Sequence, residues 1–288
     1  MYRGLMVVNA FLRTTKFDDI YMTLLSAAHG EGMELEVRAN AELSAIVDTP
    51  AFDSTAFDFV LFWDKDVHCR KALAKGDRGD GPGRVCADAR QLEQRGLRLF
   101  NSPQSILWCD DKALTYLRLK QAGIPLPRTI LAPKTFSTVG YTTLAFVQEA
   151  ANSLGFPVVL KECFGSFGQQ VYLFHDVDAL REKVRSLAGT PLLFQELVHE
   201  SYGRDARLNV VGGRVVASIL RRSTDGDFRS NLSRGGAMAP YSPTPVESAL
   251  AIRAWILRAW TCSLARTAPF CARSTPTRIS KPRWNVPA

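Results

Sequence analysis

FPVVLKECFGSFGQQVYLF, residues 156 to 174, reads as strand, loop and strand. Its first apolar run has the length and the β-branched content of a buried strand and ends on Lys161. Three residues later comes GSFG (165–168), and a second strand-like run follows. Glycines let backbone N–H groups approach phosphate oxygens, Ser166 adds a hydroxyl, and a lysine at a strand end supplies a point charge. In the Walker loop the lysine follows the glycines and a helix begins; here the lysine precedes them and a strand follows. Taken alone, the stretch also fits a plain glycine hairpin with a surface lysine.

What lies downstream weighs against that plain hairpin. FQELV (194–198) is an apolar strand interrupted by a carboxylate, and DARLNVVGGRVVASILRRS (205–223) reads as a hairpin turning at Gly212 and Gly213. Asp205, Arg207 and Arg222 sit inside its strand-like runs, where charge is costly unless it meets a partner or a charged ligand. Arg229, Ser230 and Asn231, beside Gly235 and Gly236, make a polar loop rich in anion donors.

Upstream, SPQSILWCDDKALTYLRLKQAG predicts a helix capped at Ser102 or Asp110 and closed by Gly123, and further helices are expected at about 143–154 and 177–187. In the first hundred residues the strand-like runs 4–11, 33–39 and 57–63 alternate with helical stretches at about 18–29 and 87–95, the pattern of a parallel α/β layer. The Gly/Asp cluster 76–83 follows no strand and is assigned no chemistry. The fold class expected is therefore α/β followed by α+β. The domain bounds are 1–100, 101–252 with a hinge near 194–198, and a tail from 253 to 288.

Composition is that of a globular chain, with 46% apolar and 22% charged residues in 288. No run approaches the ~18 apolar residues that cross a membrane, and the N-terminus reads as a first buried strand rather than a signal peptide. The six cysteines form no CxxC pair and no zinc-spaced cluster, so a reduced, cytoplasmic protein is expected. The net charge is +8, but seven basic residues and no acidic one lie between Arg253 and Ala288, leaving the rest at +1. A general nucleic-acid surface is not expected from that distribution, although a binding module with a basic tail remains a competing reading.

In DKALTYLRLKQAGIPLPRT, VVLKECFGSFGQQV, FQELVHESYGRDARLNVVGGRVVASILRRS and GDFRSNLSRGG the chain resembles the ATP-grasp superfamily, most closely the RimK-type glutamate ligases. The resemblance runs from Asp111 to Gly236. It implies an ATP-grasp fold behind a Rossmann-like layer, and a ligase that joins a carboxylate to an amine through an acyl phosphate. The amine would be an amino acid such as glutamate, and the carboxylate would belong to a peptide or a small molecule; homo-oligomers are compatible with this. Carried over by resemblance, Lys112 and Lys161 contact the nucleotide phosphates under the loop Gly165, Ser166 and Gly168. Glu196 and Leu197 hold adenine and ribose, and Asp205 lies on the ATP side. Arg207 and Arg222 are the catalytic candidates, Arg222 steadying the acyl phosphate, while Arg229, Ser230 and Asn231 surround the transferred phosphate. ATP and Mg2+ or Mn2+ are the cofactors implied.

The tail departs from that family. Its metal comes from an Asp on one strand and a Glu-x-Asn on the next, whereas after Ala237 this chain has no Asp and only Glu247, inside a predicted helix. The expectation is no metal ligand within these residues and an incomplete C-terminal lobe. The genetic code suggests why. If each codon takes the last base of one triplet and the first two of the next, Trp255-Ile256, Trp260-Thr261 and Trp284-Asn285 force Asp, Asp and Glu, because tryptophan has a single codon. Phe270-Cys271 forces Leu. With wobble bases chosen freely, 254–280 spells GLDFAGVDLLFGEDGPFLCEVNSNPHF, which contains the family's metal pattern. A frameshift near Arg253 is the expectation, with a nucleotide-binding but inactive product as the alternative to an active ligase.

Overall fold

The computed structural model describes residues 1–10, 15–62, 83–165, 168–230 and 235–256. In the first part, β1 (Tyr2–Val8), β2 (Met33–Ala39), β3 (Phe59–Phe62) and β4 (Arg98–Phe100) pair in parallel in the order β2-β1-β3-β4. Leu5 to Val8 of the central strand are almost wholly buried, so both faces need cover. Alternation divides them. Leu5 and Val7 pack with Leu43 of α2 (Asn40–Ile46) and with Ala89 and Leu92 of α3 (Gly83–Gln94). Met6 and Val8 meet Tyr21 and Leu24 of α1 (Thr15–Gly30) on the other side. Helices on both faces of a parallel sheet give the α/β layer expected. The cluster 76–82 lies outside the described residues.

Residues 102–121 form two helices where the sequence suggests one. α4 (Pro103–Asp110) is capped by Ser102, and α5 (Lys112–Gln121) by Asp111, whose carboxylate accepts from the N–H groups of Ala113 (2.8 Å) and Leu114 (3.3 Å). Asp110 is thus the last residue of a helix rather than a cap. The break matters because it puts Lys112 at a helix start.

The second sheet, in the order β5-β8-β6-β7, is antiparallel: β5 (Thr129–Leu131), β6 (Val158–Glu162), β7 (Val171–Phe174) and β8 (Leu192–Glu196). Val158, Leu160, Leu192 and Phe194 face α6 (Ala145–Leu154) and α7 (Val177–Ser186), packing on Val147, Ala150, Leu180 and Val184. The period of two then points Val159, Lys161 and Gln195 to the opposite face.

The third sheet is β11-β10-β9, antiparallel: β9 (Arg204–Val211), β10 (Arg214–Arg222) and β11 (Ala237–Pro240). Gly212 and Gly213 have φ of 56° and 76°, the two positive angles that a tight hairpin turn demands. Ala206 and Leu208 pack against Ala251 of α8 (Pro245–Ile256), which leaves Asp205 and Arg207 on the other face. β4, β5 and β11 are strands the sequence reading did not anticipate; each is too short for periodicity to register.

α8 is held by a capping box. Thr244 Oγ1 accepts from the Glu247 N–H (3.2 Å), and the Glu247 carboxylate accepts from the Thr244 N–H (2.7 Å) and the Tyr241 hydroxyl (2.7 Å). Burial is the largest single influence on Glu247 and opposes its ionisation, but the donors on Thr244 and Tyr241 together outweigh it. Its pKa falls below the ordinary 4.5. A folded pKa below the unfolded one gives stabilisation that is complete above that ordinary value and fades as the pH drops through the folded one. Thermal unfolding followed by circular dichroism should therefore show Thr244→Ala costing about 1 kcal/mol near neutrality and less in acid.

Candidate functional site

An open cleft lies between the second and third sheets. Val159, Lys161, Val171 and residues 195–198 line it from one side; Ser201, Arg204, Asp205 and residues 228–230 line it from the other. Lys161, Gln195 and Asp205 reach it from the faces that the helices leave uncovered.

On the first wall, Lys161 donates to Gln195 Oε1, and Gln195 Nε2 donates to Thr129 Oγ1 at 2.8 Å, so the ammonium is held by a relay across three strands. Glu196 is tied to the residue before β5: its N–H donates to the Arg128 carbonyl (3.0 Å) and its carboxylate accepts from the Arg128 N–H (2.7 Å). Leu197 follows it along the cleft edge. Apolar Val159, Val171 and Val198 beside this strand offer a flat greasy slot with backbone polar groups along its edge.

At the start of α5, the Lys112 N–H donates to the Cys163 carbonyl (2.8 Å) and its Nζ donates to the Gly165 carbonyl (2.9 Å). Lys112 therefore sits under the glycine loop, as the resemblance implies. Gly165 has φ 123°, a backbone conformation that residues with a side chain rarely adopt, and a Cβ there would also have to displace the Gln170 side chain. Ser166 lies outside the described residues, and Gly168 (φ 74°) closes the described part of the loop. Buried Cys163 has its thiol pushed up to about 12 by burial and then by the charge of Asp111, so it is no nucleophile.

On the second wall, Asp205 accepts from Arg221 Nε (2.7 Å) and Nη2 (2.5 Å), and from Ser230 Oγ (2.6 Å). All three residues are buried. Arg229 pairs with Asp227 (2.6 Å) and donates to the carbonyls of Gly168 (3.2 Å) and Val171 (3.1 Å), joining the glycine loop to the opposite wall. Asn231 lies outside the described residues.

Arg222 is not among these groups. It pairs across the ladder with Arg204, is exposed, and shares the face that carries α8. A β-bulge at Val216 is the reason. Val215 pairs with Val210, but Ala217 pairs with Asn209, so one extra residue turns the rest of β10 over. Arg221 rather than Arg222 is then opposite Asp205. Arg221, Gln195 and Phe228 are the site residues the sequence reading missed. Strand alternation from Lys161 and Phe194 would have found Gln195.

A model of the RimK-like ATP-grasp domain matches residues 109–262, just over half of the chain. The chain belongs to the RimK-like ATP-grasp family. Among similar proteins, beta-citrylglutamate synthase B of Danio rerio is 43% identical over 156 residues, covering 53% of this chain and 37% of that protein. This ATP-grasp chain spans 37 to 41% of the length of the first curated relatives it matches. Among solved structures, D-cycloserine synthetase DcsG superposes with a TM-score of 0.63 at 18% identity, over 89% of this chain and 80% of that one. The ATP-grasp ligase PsnB, complexed with a phosphomimetic variant of minimal precursor, Mg and ADP, gives 0.60 at 16% identity over 88% and 82%. At those identities the likeness is one of fold.

Proposed function

We propose that the cleft binds ATP and serves an ATP-dependent carboxylate–amine ligation, with an amino acid such as glutamate as the amine. The observation that carries this is the gathering of cations around one cleft: Lys161, Arg204 and Arg229 line it, Arg221 is paired with Asp205 of its lining, and Lys112 lies beneath the loop that Arg229 ties down. Membership of the RimK-like family and the relative named for a citrylglutamate product support it.

In the proposed reaction a carboxylate oxygen bonds to the γ-phosphorus as the bond to ADP breaks. The amine nitrogen then attacks the acyl carbon, phosphate leaves and the amine loses a proton. Charge spreads over the transferring phosphoryl oxygens, so positioned cations do most of the work. Val159, Val171 and Val198 suit the adenine faces, with Glu196 and Leu197 along its edge. Lys112 and Lys161 suit the outer phosphates. Arg221, aimed by Asp205, takes the acyl-phosphate role expected of Arg222, with Arg207 beside it on the same face and Arg229, Ser230 and Asn231 around the transferred group. The carboxylate partner is a peptide or small molecule, and the cytoplasm, where ATP is abundant, is the proposed location. Among the described residues no helix is long and apolar enough to cross a membrane.

The test is ligation itself. A chain whose residues 254–280 are replaced by GLDFAGVDLLFGEDGPFLCEVNSNPHF, given ATP, Mg2+, glutamate and citrate, should release phosphate only when both co-substrates are present. Release that ignores glutamate and every other amino acid would sink the proposal.

A further inference from the structure

Magnesium is the cofactor this family implies, and the carboxylates around the cleft do not fit it. A hard divalent ion asks for several oxygen ligands in near-octahedral order. Asp205 gives both oxygens to Arg221, and one of them also to Ser230. Asp227 gives both of its oxygens to Arg229. Glu196 accepts from the Arg128 N–H, and Glu162 from the Tyr172 hydroxyl (2.7 Å). Glu247 closes the capping box of α8 with both oxygens. Among the described residues no three His, Cys, Asp or Glu side chains stand together as a metal site would need. Beyond Glu247 the sequence has no acidic residue through Ala288.

Moving a metal onto Asp205 would strand a guanidinium that is 4% exposed, and moving one onto Asp227 would release the Arg229 tie to the glycine loop. Both are costly exchanges. The charge that meets a triphosphate here comes from lysine and arginine instead.

We propose that these 288 residues bind nucleotide independently of divalent metal, and that the missing metal carboxylates are encoded in the second reading frame of the segment after Arg253. This rests on the proposed nucleotide cleft. The lysines and arginines around the cleft outnumber the carboxylates left to repel phosphate, so the free nucleotide anion is as good a ligand as its metal complex. The Trp260-Thr261 junction forces the Asp of that frame's metal pattern without any choice of wobble base, and the Glu of its CEVN falls at Ala272-Arg273 with one choice of codons.

The experiment is a titration of the chain with N-methylanthraniloyl-ADP, once in EDTA and once in Mg2+, at matched ionic strength. The dissociation constants should agree within about threefold. Mn2+ added to the chain alone should keep its sharp free-ion paramagnetic resonance signal. The chain with its tail replaced by the second-frame sequence, folded by circular dichroism, should quench that signal and bind nucleotide more tightly with metal. Binding at least tenfold tighter in Mg2+, or Mn2+ quenching by the unaltered chain, overturns the inference and leaves the nucleotide cleft standing. A folded second-frame chain that takes up no Mn2+ overturns the assignment of the carboxylates. No nucleotide binding in either buffer overturns the cleft reading and this inference with it.

Discussion

Asp205→Ala is expected to destabilise the protein by about 3–5 kcal/mol, the cost of leaving a buried guanidinium without its carboxylate. Arg221 has a side-chain exposure of 5% and Asp205 of 9%, so water cannot replace the lost partner. Ser230 would lose the acceptor of its hydroxyl as well. Urea denaturation should show the midpoint falling with the slope little changed. The pair Asp205→Leu with Arg221→Met removes both charges, and it should recover most of the loss, because a buried ion pair often does no better than an apolar pair of similar size. Built into the chain that carries the second-frame tail, the same double variant should still lose phosphate release. Stability and function would then separate at one position, which a purely structural ion pair could not produce.

Lys161→Ala is expected to weaken nucleotide binding by roughly 30- to 100-fold, about 2–3 kcal/mol, as the loss of a charge-assisted contact to phosphate. Stability should move little, because Gln195 keeps its bond to Thr129 and β6 keeps both neighbouring strands. Exposed Lys134→Ala gives the matched loss of charge outside the cleft lining and should leave affinity within about twofold. Isothermal titration with ADP measures all three proteins. Equal losses in the two variants would mean that Lys161 acts only through net charge.

The sequence carried much of this site for physical reasons that can be named. β1, β2, β6 and β8 are legible because each must alternate, or be apolar on both faces, to match its neighbours. Lys161 is legible because a cation at the end of an apolar strand needs an explanation. The helix break at Asp111 was hidden: both flanks are helix formers, and only the extended backbone of one residue (ψ 111°) separates them. Arg221 was hidden for a different reason. The Gly212–Gly213 turn, continued without a bulge, would pair Asp205 with Leu220 and put Arg222 on the cleft face. The single extra residue at Val216 reverses that parity, and nothing in the local composition of RVVASILRR announces it.

That bulge gives Val216 a further meaning. A strand that slips by one residue ordinarily hands its whole working face to the wrong side. Here a slip that flattened the bulge would set Leu220 opposite Asp205, whereas deleting Val216 removes the extra residue itself and leaves Arg221 opposite Asp205. Val216 is thus a spacer that can be removed but not absorbed: shortening the strand there keeps the charge pairing of this sheet, and pairing Val216 into the ladder breaks it.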